Sequence, residues 1–268
     1  MIISISGKLN SGKDTVGEIV QIISASPHFT DEAVLSFIGR QHLNSIWEIK
    51  KFADKLKDIV CMLLGCTREQ LEDDREFKEK ELGEEWWYYK DSLFTDDMYS
   101  YLENKERLDN DLTYYIIKHT PRSLLQLLGT ECGREIIHPN IWVNSLMADY
   151  KNNLEFPLYN EGKVVKEKLH GYPNWIITDT RFPNELAIIE KRSGVTIRVN
   201  RPKQEWIKVG DWEAFTGKKV IHVEEHPSET ALDNAEFDYV IENDGELVDL
   251  VSKVREIMLK ENLWQEKQ

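Results

Sequence analysis

Gly7-Lys8-Leu9-Asn10-Ser11-Gly12-Lys13 places two glycines and a lysine at the spacing G-x-x-x-x-G-K. Glycine lets the backbone turn tightly around an anion, so that successive N–H groups point at a β-phosphate while the lysine adds a mobile positive charge. The chemistry this pattern serves is the holding of ATP phosphates and, with an acceptor alongside, phosphoryl transfer. Asp14 and Thr15 come next, where many loops of this type carry Ser or Thr directly after the lysine to bind magnesium. An Asp there can serve the positive end of a helix, and the Thr15 hydroxyl can approach the phosphates or a magnesium-bound water. Direct ligation of magnesium by either side chain stays open on this reading.

A second acidic centre follows an apolar run, Trp175-Ile176-Ile177-Thr178-Asp179, with Arg181 and Glu185 close behind. Three charges thus gather at the carboxyl end of an expected strand, where open sheets bind ligands. An Asp that merely caps the next turn is the plainer reading of Asp179. Arginine presents a planar fork that pairs with phosphate oxygens through two bonds, which makes Arg75, Arg122 and Arg181 candidate clamps. Each has an ordinary alternative, since Arg75 lies among Asp73, Asp74 and Glu76 and can simply pair with them.

These residues need elements to hold them. Ile2 to Ser6 reads as a strand, and Val16, Ile19, Val20 and Ile23 recur at helical spacing behind the glycine loop. Ile46 to Phe52 reads as a short strand leading into a helix whose apolar face is Leu56, Ile59, Val60, Leu63 and Leu64. Residues 67–118 change character, with dense charge from Arg68 to Glu85 and then Trp86 to Tyr89, and read as a helical insertion. Helical spacing returns from Pro121 with Leu124, Leu125, Leu127 and Leu128, and again from Asn140 to Met147. Residues 152–173 read as a loop or hairpin. Trp175 to Thr178, a helix from Pro183 to Lys191 and the strand Val195 to Val199 make a strand-helix-strand unit, followed by a strand at Tyr239 to Glu242 and a helix at Glu246 to Leu259. Alternation of this kind predicts an α/β fold, a mostly parallel sheet covered on both faces, in a single domain spanning 1–268.

The bulk properties narrow the function classes. A net charge of -14 repels a phosphate backbone, so nucleic acid is not an expected partner, and an anionic substrate must be held by local Arg and Lys. No apolar run approaches the roughly 18 residues of a membrane span, and the opening Met-Ile-Ile-Ser-Ile-Ser lacks the pattern of a signal peptide. A cytosolic protein with no membrane partner is expected. Cys61, Cys66 and Cys132 form no Cys-x-x-Cys pair and suggest neither a disulfide framework nor a zinc ribbon. His222-Val-Glu-Glu-His226 fits the H-x-x-E-H zinc pattern, but Pro227 follows at once and argues against the helix that pattern needs.

Several separated motifs together resemble the phage deoxynucleoside monophosphate kinases, in matching order through most of the chain outside the 67–118 insertion. They are Gly7 to Thr15 (G-x-x-x-S-G-K-D-T), Ala53 to Lys57, Asp74-Arg75-Glu76, Arg122 to Thr130 (R-S-L-L-Q-L-L-G-T), Trp142-Val143, Asp179 to Glu185, Arg201-Pro202, and His226 to Glu229 with Asn243-Asp-Gly245. The resemblance implies a P-loop sheet of about five strands, ATP as donor with Mg2+, a deoxynucleoside monophosphate as acceptor, and a homodimer, in the host cytoplasm if the chain is phage-encoded. Carried over by position, Gly7, Gly12, Lys13, Asp14 and Thr15 would hold ATP phosphates, and Lys57, Arg75 and Arg122 would contact the acceptor. Gly129, Thr130 and Trp142 would shape its pocket, and Asp179, Arg181 and Glu185 would lie on the acceptor side. Lys13, Arg122, Asp179 and Arg181 would take the catalytic roles, with magnesium near Asp14, Thr15 and Asp179 through water. Some relatives carry basic residues where this chain has Leu9 and Asn10, so those contacts are not carried over. The insertion would be a lid that closes and excludes water from the acceptor. Two other readings of the loop remain: a small-molecule P-loop kinase for a sugar or coenzyme precursor, and a non-catalytic ATP-binding module.

Overall fold

Ile2–Ser6 forms β1, and all five residues are buried, as a strand must be that has neighbours on both edges and helices on both faces. The structure, a computed structural model, describes residues 1–40, 45–91, 99–100, 114–152, 154–160, 163–169, 171–202 and 230–263. The 222–226 histidine pattern and the His226 to Glu229 motif therefore lie outside the described residues.

The chain divides into two units. The first, 1–52 with 143–268, is built on a five-stranded sheet in which β1 is central. Its partners are β2 (Trp47–Lys50), β8 (Asn174–Thr180), β9 (Val195–Asn200) and β10 (Tyr239–Glu242), in the order β10-β9-β1-β8-β2 and all parallel. Because every strand runs the same way, all five carboxyl ends lie along one edge of the sheet, the edge at which the Gly7–Lys13 loop leaves β1. One face packs on α1 (Lys13–Ala25), α2 (Asp31–Phe37) and α9 (Leu247–Lys260), through Ile3, Ile5, Ile197 and Val199 against Val16, Ile19, Val20, Val251 and Val254. The other packs on α7 (Ile141–Met147) and α8 (Pro183–Lys191), through Ile2, Trp175 and Ile177 against Val143, Leu146 and Ile189. Full burial of an isoleucine contributes roughly 1.5–3 kcal/mol, so the alternate-residue pattern of β1 and β8 fixes which side chains face each layer. An α/β parallel sheet flanked by helices, the architecture read from the strand-helix alternation, is what the chain forms.

The second unit is Ala53–Trp142. It carries α3 (Asp54–Leu64), α4 (Arg68–Glu72), α5 (Arg75–Glu79) and α6 (Pro121–Leu127), with its own core of Leu56, Val60, Cys61, Leu71 and Trp142. Gly65 ends α3 in the left-handed conformation at φ 64°, which glycine adopts without Cβ strain. Two expectations are corrected here. Ile59 and Leu63, placed on the apolar face of α3 by spacing, are 38% and 51% exposed, and Cys61 takes the buried position instead. Among the described residues of 67–118 strands stand beside the expected helices, because β3 (Tyr88–Asp91) pairs antiparallel with both β4 (Tyr99–Ser100) and β5 (Tyr114–Ile117). α6 is continued by a π-helix over Leu128–Ile137. The 152–173 stretch is a hairpin, β6 (Leu154–Asn160) against β7 (Lys163–Leu169).

Candidate active site

In the first unit the Gly7–Lys13 loop joins β1 to α1 as the spacing predicts. Gly12 stands at φ 95° as the residue before α1, a conformation that strains any residue with a Cβ. A Cβ on Gly7 would fall 2.7 Å from the Val199 carbonyl oxygen and 2.3 Å from Ser11 Oγ, so the loop closes only with glycine there. Lys13 opens α1, with its side chain 11% exposed. Among the described residues the buried Ser11 hydroxyl has no hydrogen-bond partner. An orphaned buried hydroxyl inside a glycine cradle at the positive end of a 13-residue helix is a fitting site for a phosphate group.

Asp14 is the carboxylate of this loop. Its Oδ2 receives the Lys13 ammonium at 2.8 Å, and its Oδ1 receives the Thr178 hydroxyl at 2.9 Å and lies 3.4 Å from Lys51 Nζ. Burial alone raises its pKa, but the two lysines and the Thr178 hydroxyl outweigh it and hold the group at about 2. Asp14 is therefore ionised at every working pH, and it holds the Lys13 ammonium in an ion pair. Thr15 follows in the first turn, half-buried.

At the end of β8 the side chains alternate, and this divides the acidic centre. Thr178 points to the α1 face and meets Asp14, while Asp179 accepts the Phe52 main-chain N–H at 2.8 Å, tying the end of β2 to the end of β8. Glu185 is buried, and its Oε2 accepts the main-chain N–H groups of Arg181 at 2.8 Å and Phe182 at 3.1 Å. It thus caps α8, where a carboxylate also suits the helix dipole, and Arg181 sits half-buried at that cap. Sequence reasoning missed Thr178 and Lys51. The signal was available, since both sit at carboxyl ends of parallel strands on the edge where the glycine loop emerges.

The second unit gathers cations around Glu72. Lys57 on α3 donates to Glu72 Oε1 at 2.7 Å, and Arg68 donates to the same oxygen at 2.6 Å. Arg68 also donates to Asp54 Oδ1 at 3.0 Å and Asp58 Oδ1 at 2.7 Å, and these acids keep it protonated against the cost of its burial. Glu72 is held below the usual carboxylate range by Lys57 and Arg68 although burial pushes the other way. Lys78 donates to the Glu72 main-chain oxygen at 3.1 Å. Burial lowers the Lys78 pKa first, and the positive charges of Arg122 and Lys57 lower it further. Arg122, exposed on the first turn of α6, donates to Glu79 Oε1 at 2.5 Å. Lys57, Lys78 and Arg122 therefore form one positive cluster from three helices, and Lys78 is a member that the sequence reading did not name. Arg75 is exposed at the start of α5.

Gly129 and Trp142 meet at the π-helix, in which Thr130 follows Gly129. The Gly129 carbonyl accepts the Trp142 indole N–H at 2.8 Å and the Arg134 guanidinium at 2.8 Å, groups that the widened helical turn leaves it free to take. Trp142 is 5% exposed and packs in the unit's core, and a Cβ on Gly133 would come 3.0 Å from its ring. Trp87 is likewise a structural aromatic: its indole N–H donates to the Leu82 carbonyl at 3.1 Å, and Lys118 lies 4.4 Å from the ring centroid.

Among the described residues no group of three or more His, Cys, Asp or Glu side chains could hold a metal, and no helix is long and apolar enough to cross a membrane. Comparison with known proteins adds sequence-wide evidence. The family model described as deoxynucleotide monophosphate kinase matches residues 1–254. The chain is also similar to a protein of Escherichia phage T5 named deoxynucleoside-5'-monophosphate kinase, at 24% identity over 257 residues, covering 87% of this chain and 85% of that protein.

Proposed function

The chain belongs to the deoxynucleotide monophosphate kinase family, and from that premise we propose that it transfers the terminal phosphate of ATP to a deoxynucleoside 5'-monophosphate, releasing ADP and a deoxynucleoside diphosphate that supplies DNA synthesis. The observation that carries the donor half is the Gly7–Lys13 cradle, with Gly12 in the left-handed region, Lys13 buried and paired with Asp14, and the Ser11 hydroxyl awaiting an acceptor or donor. Phosphoryl transfer between two anions is chiefly positioning and charge neutralisation, and it needs no protein nucleophile.

In this reading Gly7, Gly12, Lys13, Asp14 and Thr15 hold the donor phosphates, and Lys13 neutralises charge on the group in flight. Lys57, Arg122 and Lys78 hold the acceptor phosphate, and their clustering in the second unit supports that role. Arg75 lies on the acceptor side, Gly129, Thr130 and Trp142 help shape its pocket, Trp142 from the core behind it, and Arg181 and Asp179 act from the end of β8. The ionised Asp14, with Thr15 and Asp179, would hold a hydrated magnesium ion on the donor side through water. The ion would supply charge neutralisation at the phosphates. Asp179 then has a second task besides the Phe52 N–H, and Glu185 serves the site by fixing the Arg181 backbone. The assembly proposed with it is a homodimer, which sedimentation of the purified chain tests.

A coupled assay with ATP, magnesium and each deoxynucleoside monophosphate decides the proposal. ADP release that depends on a monophosphate is expected, with loss of turnover in Lys13→Ala while the fold is retained. Absence of ADP release with every monophosphate refutes the reading, and activity that persists in Lys13→Ala removes the loop from the mechanism.

A further inference from the structure

Asn243 lies one residue beyond β10, and its main-chain N–H donates to the Asn200 carbonyl at 2.7 Å, which fixes it beside the end of β9. Lys253 on α9 bonds the Glu242 carbonyl and the Asp244 carboxylate, anchoring the turn from both sides of Asn243. From that fixed point the Asn243 side-chain amide donates to the Ser11 carbonyl at 2.8 Å. The Ser11 carbonyl can only accept, so the atom facing it must be the NH2 group and the amide orientation is determined by its partner.

The consequence follows from the planar trans peptide. The Ser11 carbonyl and the Gly12 N–H belong to one rigid unit and point in opposite directions. Holding the carbonyl toward β10 turns the Gly12 N–H away from β10, to the side where an anion in the loop would lie. The same amide explains part of the demand for glycine at position 12. A Cβ there would come within 2.6 Å of Asn243 Nδ2, on top of the strain of φ 95°.

We propose that Asn243 is a positioning residue for the donor phosphates, whose amide sets the orientation of the Ser11–Gly12 peptide and so the aim of the loop's N–H groups. The inference rests on the reading of Gly7–Lys13 as the donor loop. Asn243 acts through the loop and touches neither phosphate nor base. Its removal weakens binding of anything held by the loop, in proportion to the phosphate and not to the nucleoside.

The test is calorimetric titration of the purified chain, Asn243→Ala and the uncharged, similarly sized Asn243→Leu with ATP and, separately, with inorganic tripolyphosphate, together with steady-state kinetics. Loss of one hydrogen bond that orients a charged-ligand cradle is expected to weaken both ligands by about tenfold. The KM for ATP rises by a similar factor, and the KM for the monophosphate at saturating ATP is unchanged. Asn243→Leu keeps most of the side-chain volume, adds no charge and cannot donate, so it must show the loss even if Asn243→Ala proves unstable. Weaker ATP with unchanged tripolyphosphate overturns the proposal in favour of a base contact, and unchanged affinity for both overturns it outright. The two readings separate cleanly. Tripolyphosphate binding that depends on Asn243, in a chain that phosphorylates no monophosphate, keeps the clamp and removes the kinase step. A working kinase whose variants bind both ligands normally keeps the kinase and removes the clamp.

Discussion

Replacing Lys78 with methionine separates a substrate-binding role from a structural one. In the folded chain the Lys78 ammonium makes one hydrogen bond to a neutral group, the Glu72 main-chain oxygen at 3.1 Å. Its loss on its own costs about 1.5 kcal/mol, the lower end for a charged donor, because the acceptor is neutral. Against that stand the burial of the charge and its repulsion from Arg122 and Lys57, which together lower the lysine's pKa and so weigh against the charged form in the fold. Methionine keeps much of the stem's packing and removes both penalties. Stability is therefore expected to change by less than about 1 kcal/mol, or less than about 4 °C in Tm for a chain of this size. The acceptor side behaves differently. A hydrogen bond from a charged donor to phosphate is worth about 1.5–3 kcal/mol, so kcat/KM for the monophosphate should fall about tenfold to a hundredfold at saturating ATP. The assay is the coupled ADP measurement with the monophosphate varied, run beside a thermal melt. Acceptor kcat/KM within twofold of the unmodified chain, together with a Tm lowered by several degrees, would make Lys78 a structural lysine and refute the argument.

Arg68→Ala removes the guanidinium that joins Asp54, Asp58 and Glu72. Because the group is about one third exposed and solvent screens it, the cost should be about 1–2 kcal/mol in denaturant unfolding. The KM for the monophosphate should also rise, since Lys57 is placed by the same Glu72 oxygen; an unchanged KM would disconnect the network from the site. Asp14 sets a pH dependence whose sign is fixed by its lowered pKa. Its ion pairs stabilise the fold fully above the ordinary carboxylate range and are lost as pH falls from about 4 to the folded value of about 2. The stability difference between the unmodified chain and Asp14→Asn, measured by denaturant unfolding, should be flat from pH 7 to about 5 and shrink below about 4. A difference that instead shrinks between pH 7 and 5 would mean that Asp14 is not held ionised by Lys13 and Lys51.

Much of the first unit was legible because its signals are local. Ile2–Ser6, Tyr239–Glu242 and Pro183–Lys191 have the bounds that apolar alternation and an N1 proline predict. β8 runs two residues past Thr178 because Thr180 pairs with Ser6 and bonds the Ser4 hydroxyl, contacts 174 and 176 residues apart in the chain that no window reveals. The second unit was harder for the same reason. β3 finds β5 across more than twenty residues, and dense charge between them masks the aromatic and β-branched runs Tyr88-Tyr89 and Tyr114 to Ile117 that mark strands. The π-helix leaves no pattern beyond Gly129 and Gly133, which are crowded by Leu56 at the first and by the Leu128 carbonyl oxygen, 2.5 Å from a Cβ, with Trp142 behind it at the second. At the site, the glycine loop carries its geometry in its spacing. The division between Thr178 and Asp179 depends on which face of the sheet each meets, and Lys78 looks in sequence like one more charge on a solvated face.

The cations of this acidic chain are not bare. Lys13 rests on Asp14, Lys57 on Glu72 and Arg122 on Glu79. A phosphate that binds any of them exchanges one oxygen anion for another and does not fall onto an unpaired charge, so the exchange favours ligands that bring more than one negative charge to a single centre. Neutral nucleosides bring none and cannot compete with the resident carboxylates, which gives a physical reason for a monophosphate acceptor in place of a nucleoside. Of these four clustered or loop cations, Lys78 alone rests on a carbonyl. Its charge is the one that a phosphate would neutralise without displacing a carboxylate, and that is why its removal should cost the reaction more than the fold.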